Sequence, residues 1–147
     1  GDARLVTVFG CGGDRDRGKR PLMLQAALRL SDKTIVTADN PRSEDPRSIV
    51  DEMFAGIGDS EDCGRVVVEL DRAKAIHLAL EATGFGDVVM LLGKGHETVQ
   101  IIGDQRVPHS DYAVVAAEFG ITSDASWNDA RRVGTHPHGD TDPPEPR

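Results

Sequence analysis

Apolar and polar positions alternate along the chain in blocks that switch between strand and helix periods. Arg4–Phe9 (RLVTVF) predicts a first strand, and a glycine-rich loop, Gly10–Lys19, follows it. Pro21 opens a helical stretch through Leu30, with Leu22, Ala26, Leu28 and Leu30 on its apolar side; proline suits a helix start because its missing N–H would be unpaired there. Lys33–Thr37 reads as a second buried strand. Ser43-Glu44-Asp45-Pro46 signals the next helix, whose face carries Ile49, Val50, Met53, Phe54 and Ile57 at spacings of three and four. Asp59–Gly64 reads as a polar loop, Arg65–Leu70 as a strand, and Asp71 as the N-cap of a helix through Thr83. Asp87–Leu92 predicts a strongly buried strand. Val99–Ile102 and Gln105–Val107 flank a Gly103-Asp104 turn as a hairpin, and Ser110 caps a last helix through Phe119.

This alternation predicts an α/β fold: a Rossmann-like, mostly parallel sheet flanked by helices through right-handed crossovers, with an antiparallel hairpin at an edge. The domain is expected over residues 1–120. Residues 121–147 read as a polar, largely disordered tail, since 134–147 holds four prolines and almost no apolar residue; Trp127 is suited to dock Ile121–Trp127 on the domain.

Composition narrows the function. The 147 residues fit one domain. Lys plus Arg is 17 and Asp plus Glu is 25, a formal charge of −8, which argues against nucleic-acid or anionic-membrane partners. No apolar run approaches the ~20 residues of a membrane span. Residues 1–4 carry no signal-peptide pattern, and Cys11 and Cys63 form no zinc or redox spacing, so two free thiols in a cytoplasmic setting are expected.

The polar loops follow strands, where open α/β sheets bind ligands. Asp39-Asn40-Pro41-Arg42 places a carboxylate, an amide and a guanidinium after the second strand, a set suited to a zwitterion such as an amino acid. Turn chemistry alone favours a polar turn with Arg42 in a surface ion pair. Gly13–Arg20 nearly matches a phosphate-cradling loop, but Arg20 stands where a Ser or Thr would meet magnesium, and Arg15 stands where a dinucleotide motif needs its third glycine. Arg15, Arg17, Lys19 and Arg20 beside a helix N-terminus nevertheless make a candidate anion site. Gly93-Lys94-Gly95-His96-Glu97 is a third such loop; its plain alternative is a tight turn with His96 and Glu97 facing water. His77 reads as an incidental mid-helix residue, and His136 and His138 have no partner residues completing a metal-site spacing.

Three blocks, Gly10–Asp16 with Gly18–Pro21, Asp39–Arg42 and Gly93–Glu97, stand in the order and at about the separations of the C-terminal domain of the MurE-type Mur ligases, which the chain resembles from Leu5 to Phe119. These are UDP-N-acetylmuramoyl-alanyl-glutamate–diaminopimelate ligases of peptidoglycan synthesis. The resemblance implies meso-diaminopimelate contacts at Arg15, Asp39, Asn40, Arg42, Gly93 and Glu97, with no catalytic residue and no metal ligand assigned. It also implies that ATP phosphorylates the glutamate carboxyl and that the diaminopimelate amine attacks the product. ATP and magnesium would be held mainly by an upstream ATPase domain, which is a partner together with a UDP-sugar domain. This chain by itself is therefore expected to be inactive. Ala38, Val99 and the sequence after Ser110-Asp111 depart from the family pattern. The competing expectations are a stand-alone amino-acid or peptide binding module and a related amide ligase with another amino-acid substrate.

Overall fold

The computed structural model describes residues 2–57 and 64–121. Cys63, most of the expected 59–64 loop, and the expected tail with Trp127, His136 and His138 lie outside the described residues. The elements run β1 (Leu5–Phe9), α1 (Lys19–Leu30), β2 (Lys33–Val36), α2 (Pro46–Phe54), β3 (Val66–Val68), α3 (Arg72–Glu81), β4 (Val88–Leu91), β5 (Val99–Ile102), β6 (Gln105–Pro108) and α4 (Asp111–Glu118). Helix starts follow from local chemistry. The Asp45, Asp71 and Ser110 side chains accept from the N–H groups of Arg47, Lys74 and Ala113, satisfying donors the first turn leaves open. The α1 helix begins two residues before Pro21, which still falls in its first turn and breaks no helical hydrogen bond.

Strands β1 to β4 form one parallel sheet in the order β3-β2-β1-β4. Helices cover both faces, because the chain winds from β1 outward to β3 and then crosses back to β4. On one face Leu24, Leu28, Ile49, Val50 and Met53 of α1 and α2 pack on Phe9 and Val36. On the other, Ala75 and Ala79 of α3 pack on Val6, Val8 and Ile35.

Two apolar expectations are corrected. Strand β4 is not strongly buried: Val88 and Met90 are about half exposed, as is Leu92 just beyond it. It is an edge strand among the described residues, and an apolar groove separates Met90 and Leu92 from Met23 and Leu30 of α1. Leu22 and Leu30 likewise leave the core, since the sheet meets α1 through Leu24 and Leu28. The hairpin β5-β6 forms its own two-stranded sheet. It docks on the turn after β2 through a parallel bridge, Arg42 to Ile102, and through hydrogen bonds from Gln100 and Ile101. None of the described helices is long and apolar enough to cross a membrane.

Candidate functional site

The strand order reverses between β1 and β4, so the loops after these two strands part and leave a crevice at the carboxyl edge of the sheet, the usual ligand position. A cavity of about 260 Å³ lies there, lined by Gly10, Cys11, Gly12, Arg15, Lys19, Asp39 and Gly93 among others. The β1 loop packs tightly on the Asp39–Arg42 turn. Gly13 N–H donates to the Asn40 carbonyl at 2.8 Å, and a Cβ on Gly13 would lie 1.8 Å from the Pro41 oxygen. Only glycine permits that approach.

Arg42 adopts left-handed backbone geometry, φ 53°, which is uncommon outside glycine, asparagine and aspartate. The hairpin holds it there: Arg42 N–H donates to Ile101 O at 3.0 Å, and Gly103 N–H donates to Arg42 O at 2.6 Å. Its side chain is not in a surface ion pair. Nη1 donates to the carbonyls of Gly13 (2.9 Å) and Asn40 (3.3 Å), whereas Nε and Nη2 have no hydrogen-bond partner among the described residues. The unused edge is the fork that binds a carboxylate with two parallel bonds. Arg15 shares this corner, for a Cβ on Gly12 would meet Arg42 Nη1 at 3.0 Å and Arg15 Cγ at 3.3 Å.

Two carboxylates, Asp39 and Glu97, gather around Lys94. Asp39 lies against Gly93, whose Cβ would come within 2.7 Å of Asp39 Oδ2, and Gly93 has φ 105°. Glu97 Oε2 accepts from Lys94 Nζ at 3.2 Å and from Asn40 Nδ2 at 3.4 Å. The Lys94 bond, ahead of the Asn40 bond and the Arg42 charge, holds the Glu97 carboxyl below its ordinary value. The fold thus brings all six expected residues to one rim. Arg15, Asp39 and Gly93 line the cavity, and Asn40, Arg42 and Glu97 adjoin them through these contacts.

Gly93→Ala tests the close approach. The new methyl group must displace the Asp39 carboxylate and must also tolerate a φ of 105°, so urea unfolding should show a loss of about 1–3 kcal/mol.

Of the four cations expected at an anion site, Arg15 and Lys19 line the cavity, whereas carboxylates take Arg17 and Arg20. Arg20 is 1% exposed and pairs with Glu44 at 2.6 Å and with Glu52 at 2.8 Å. It also donates to Gly12 O at 3.1 Å. Arg17 pairs with Glu52 as well. Carboxylates therefore neutralise two of the four cations, and no hydroxyl stands where a magnesium ligand belongs. Among the described residues no trio of His, Cys, Asp or Glu side chains is placed to hold a metal ion. Cys11 borders the cavity with its thiol pushed up to about 11, chiefly by burial, which keeps it protonated and unreactive at neutral pH.

Arg20 instead ties α1 to the β1 loop at Gly12, to Glu44 just after the Asp39–Arg42 turn, and to α2 through Glu52. Its hydrogen bond, followed by that of the Asp14 N–H, holds Glu44 at about 2 against an ordinary 4.5. A depressed carboxyl adds stability that is complete above its unfolded value and is lost as pH falls through the folded one. The urea midpoint should therefore fall between pH 4.5 and about 2, and Arg20→Met should flatten that dependence. The same variant should also lower the urea midpoint at neutral pH, by less than the loss of a partner to a fully buried charge, because both carboxylates keep some water.

Sequence reasoning missed Lys94 and Gln100. Lys94 is buried beneath the turn, and Gln100 Nε2 donates to Asp39 O at 2.6 Å. A lysine between two glycines directly after an apolar strand was the available signal for Lys94. Gln100 had none, because its role depends on where the hairpin docks.

A sheet of this topology with a charged crevice at its switch point defines a ligand-binding α/β domain, and comparison with known families makes the assignment specific. The model of the Mur ligase, glutamate ligase domain family matches residues 1–95, and the chain belongs to that family. A UDP-N-acetylmuramoyl-L-alanyl-D-glutamate--2,6-diaminopimelate ligase of Geobacillus thermodenitrificans is 54% identical over 113 residues, 77% of this chain and 23% of the relative. The enzyme of that name from Vibrio vulnificus is 48% identical over 121 residues, 81% and 24% of the two chains. A solved structure of a ligase with that name superposes with a TM-score of 0.74 at 46% identity, covering 80% of this chain and 24% of the other. The chain thus spans about a quarter of the length of the relatives it matches.

Proposed function

We propose that this chain is the amino-acid-binding C-terminal domain of an ATP-dependent ligase that adds meso-diaminopimelate to UDP-MurNAc-L-Ala-D-Glu in peptidoglycan synthesis. The observation that carries the reading is that Arg15 and Asp39 line one crevice, with Arg42 beside Arg15 and the Glu97 carboxylate within reach of the Arg42 charge. The two ends of diaminopimelate are both amino acids, and one must be gripped while the amine of the other reacts. The fork of Arg42, with Arg15 beside it, takes the distal carboxylate, and Asp39 and Glu97 take the distal ammonium. The printed names of the relatives support this substrate.

ATP and magnesium fall to an upstream domain in this reading, and the paired state of Arg17 and Arg20 supports leaving them there. What this domain supplies is orientation: it presents the reacting amine and excludes amino acids with the wrong far end. The location is cytoplasmic, with the domain at residues 1–120 and the polar segment 121–147 outside it.

Asp39→Asn in the complete enzyme tests the assignment. It removes the charge facing the ammonium and should raise the KM for diaminopimelate about 10- to 100-fold while leaving the KM for ATP unchanged. Equal losses for both substrates would reject the role. Use of lysine as efficiently as diaminopimelate by the unaltered enzyme would point to a different amino-acid substrate.

A further inference from the structure

One ammonium group sits beneath three of the side chains assigned to the ligand, Asp39, Asn40 and Glu97. Lys94 has a side chain with 0% exposure. Its Nζ donates to Asn40 Oδ1 at 2.5 Å, to Val99 O at 2.9 Å and to Glu97 Oε2 at 3.2 Å. Asp39 Oδ1 lies 3.6 Å away. An ammonium has three N–H donors, so these acceptors exhaust it and Asp39 is held by charge alone. Lys94 has no donor left for a ligand.

Its effect falls on its partners. Asn40 Oδ1 accepts from Lys94 Nζ and from Ile101 N–H at 2.9 Å. Both of these groups can only donate, so the amide cannot turn over without placing its NH₂ against two donors. Nδ2 therefore faces Glu97 and the ligand side. In this pose Asn40 offers a carboxylate a donor; turned over, it would offer an acceptor and repel it. Lys94 also stands between Asp39 and Glu97, whose negative charges would otherwise push each other apart.

We propose that Lys94 is the positioning residue of the amino-acid site, fixing which edge of the Asn40 amide and which carboxylate oxygens of Asp39 and Glu97 meet the ligand. The proposal rests on the reading above that these three residues touch the amino acid. It makes selectivity for the distal carboxylate depend on a buried cation that never contacts it.

The test uses the full-length ligase carrying this domain. Lys94→Met keeps most of the apolar stem and removes the charge. The KM for diaminopimelate should rise at least tenfold, as for a binding group misplaced by about 1 Å, while the KM for ATP stays within about twofold. Asn40→Ala should raise the diaminopimelate KM in the otherwise unaltered enzyme but add little to Lys94→Met, because the orientation it would remove is already lost. The acid limb of kcat/KM for diaminopimelate should also move to higher pH in Lys94→Met. Glu97 then keeps only Asn40 and Arg42 as stabilising neighbours and faces Asp39. A merely structural lysine would not produce that shift.

A diaminopimelate KM within about twofold of the unaltered enzyme would overturn the proposal, as would effects of Lys94→Met and Asn40→Ala that multiply in full. If Lys94→Met yields no folded enzyme, Lys94→Gln, which retains a donor for Asn40, should still raise the diaminopimelate KM about threefold or more, and an unchanged value overturns the proposal. If Asn40→Ala and Asp39→Asn themselves leave KM unchanged, the site assignment fails and Lys94 falls with it. If they raise KM and Lys94→Met does not, only the positioning role fails.

Discussion

Replacing Arg42 by alanine is expected to lower kcat/KM for diaminopimelate by about 2–5 kcal/mol of transition-state stabilisation, roughly 30- to 5,000-fold, the range for truncating one partner of a buried charge pair. The geometry gives the reason. Nη1 is held by the carbonyls of Gly13 and Asn40, so the guanidinium is aimed before a ligand arrives and loses little entropy on binding. The effect should appear mainly in the amino-acid terms, and Arg42→Lys should not restore it, because a point charge cannot reproduce a planar fork. Lysine as substrate lacks the distal carboxylate and would leave Arg42 unpaired. The variant should therefore narrow the preference for diaminopimelate over lysine as well as slow the reaction. Steady-state kinetics with both amino acids measures this, and an unchanged ratio would count against Arg42 as the selector.

Replacing Asp111 by alanine should cost about 3–5 kcal/mol of stability, the penalty for leaving a buried charge without its partner. Arg72 has a side chain with 0% exposure. It donates to both Asp111 oxygens, at 2.8 and 2.7 Å, and to Leu92 O at 3.0 Å. The pair joins the N-terminus of α3 to that of α4 and to the end of β4, just before the Gly93 loop. His109 Nε2 lies 2.7 Å from Asp111 Oδ1. Burial pushes the Asp111 carboxyl up, but the bonds to Arg72 and His109 outweigh it and leave the group below its ordinary value. Its contribution is thus present at neutral pH and lost under acid. Urea unfolding at pH 7 measures the cost. The double change Arg72→Met, Asp111→Leu should be less damaging than either single change, because it buries no lone charge.

Local chemistry made much of the fold legible before any coordinates. Asp45-Pro46, Asp71 and Ser110 marked helix starts because each side chain can bond an open N–H one turn ahead. The parallel sheet followed from strands alternating with helices. The errors arose where tertiary position overrides pattern. Val88 and Met90 read as core because apolar runs usually are, but β4 lies at the edge and part of one face stays open. Leu22 and Leu30 have helical spacing, yet the sheet meets only the Leu24–Leu28 stripe.

The motifs that carry the candidate site were legible, but the contacts beneath them were not. Arg20 and Arg17 looked available for an anion, whereas Glu44 and Glu52, distant in sequence, take them. Arg42 looked like a surface cation until the hairpin fixed its backbone. The lysine in the Gly93–Glu97 loop was passed over because burial of a charged side chain depends on partners that only the fold assembles.

The central claim is that the loops after β1, β2 and β4 grip one amino acid together. Titrating the ¹⁵N-labelled chain with meso-diaminopimelate and following its amide resonances tests this most directly. Saturable shifts should appear together at Gly12–Arg15, Asp39–Arg42 and Gly93–Glu97, and should weaken when lysine is the titrant. Shifts confined to one loop, or an identical response to lysine, would contradict it.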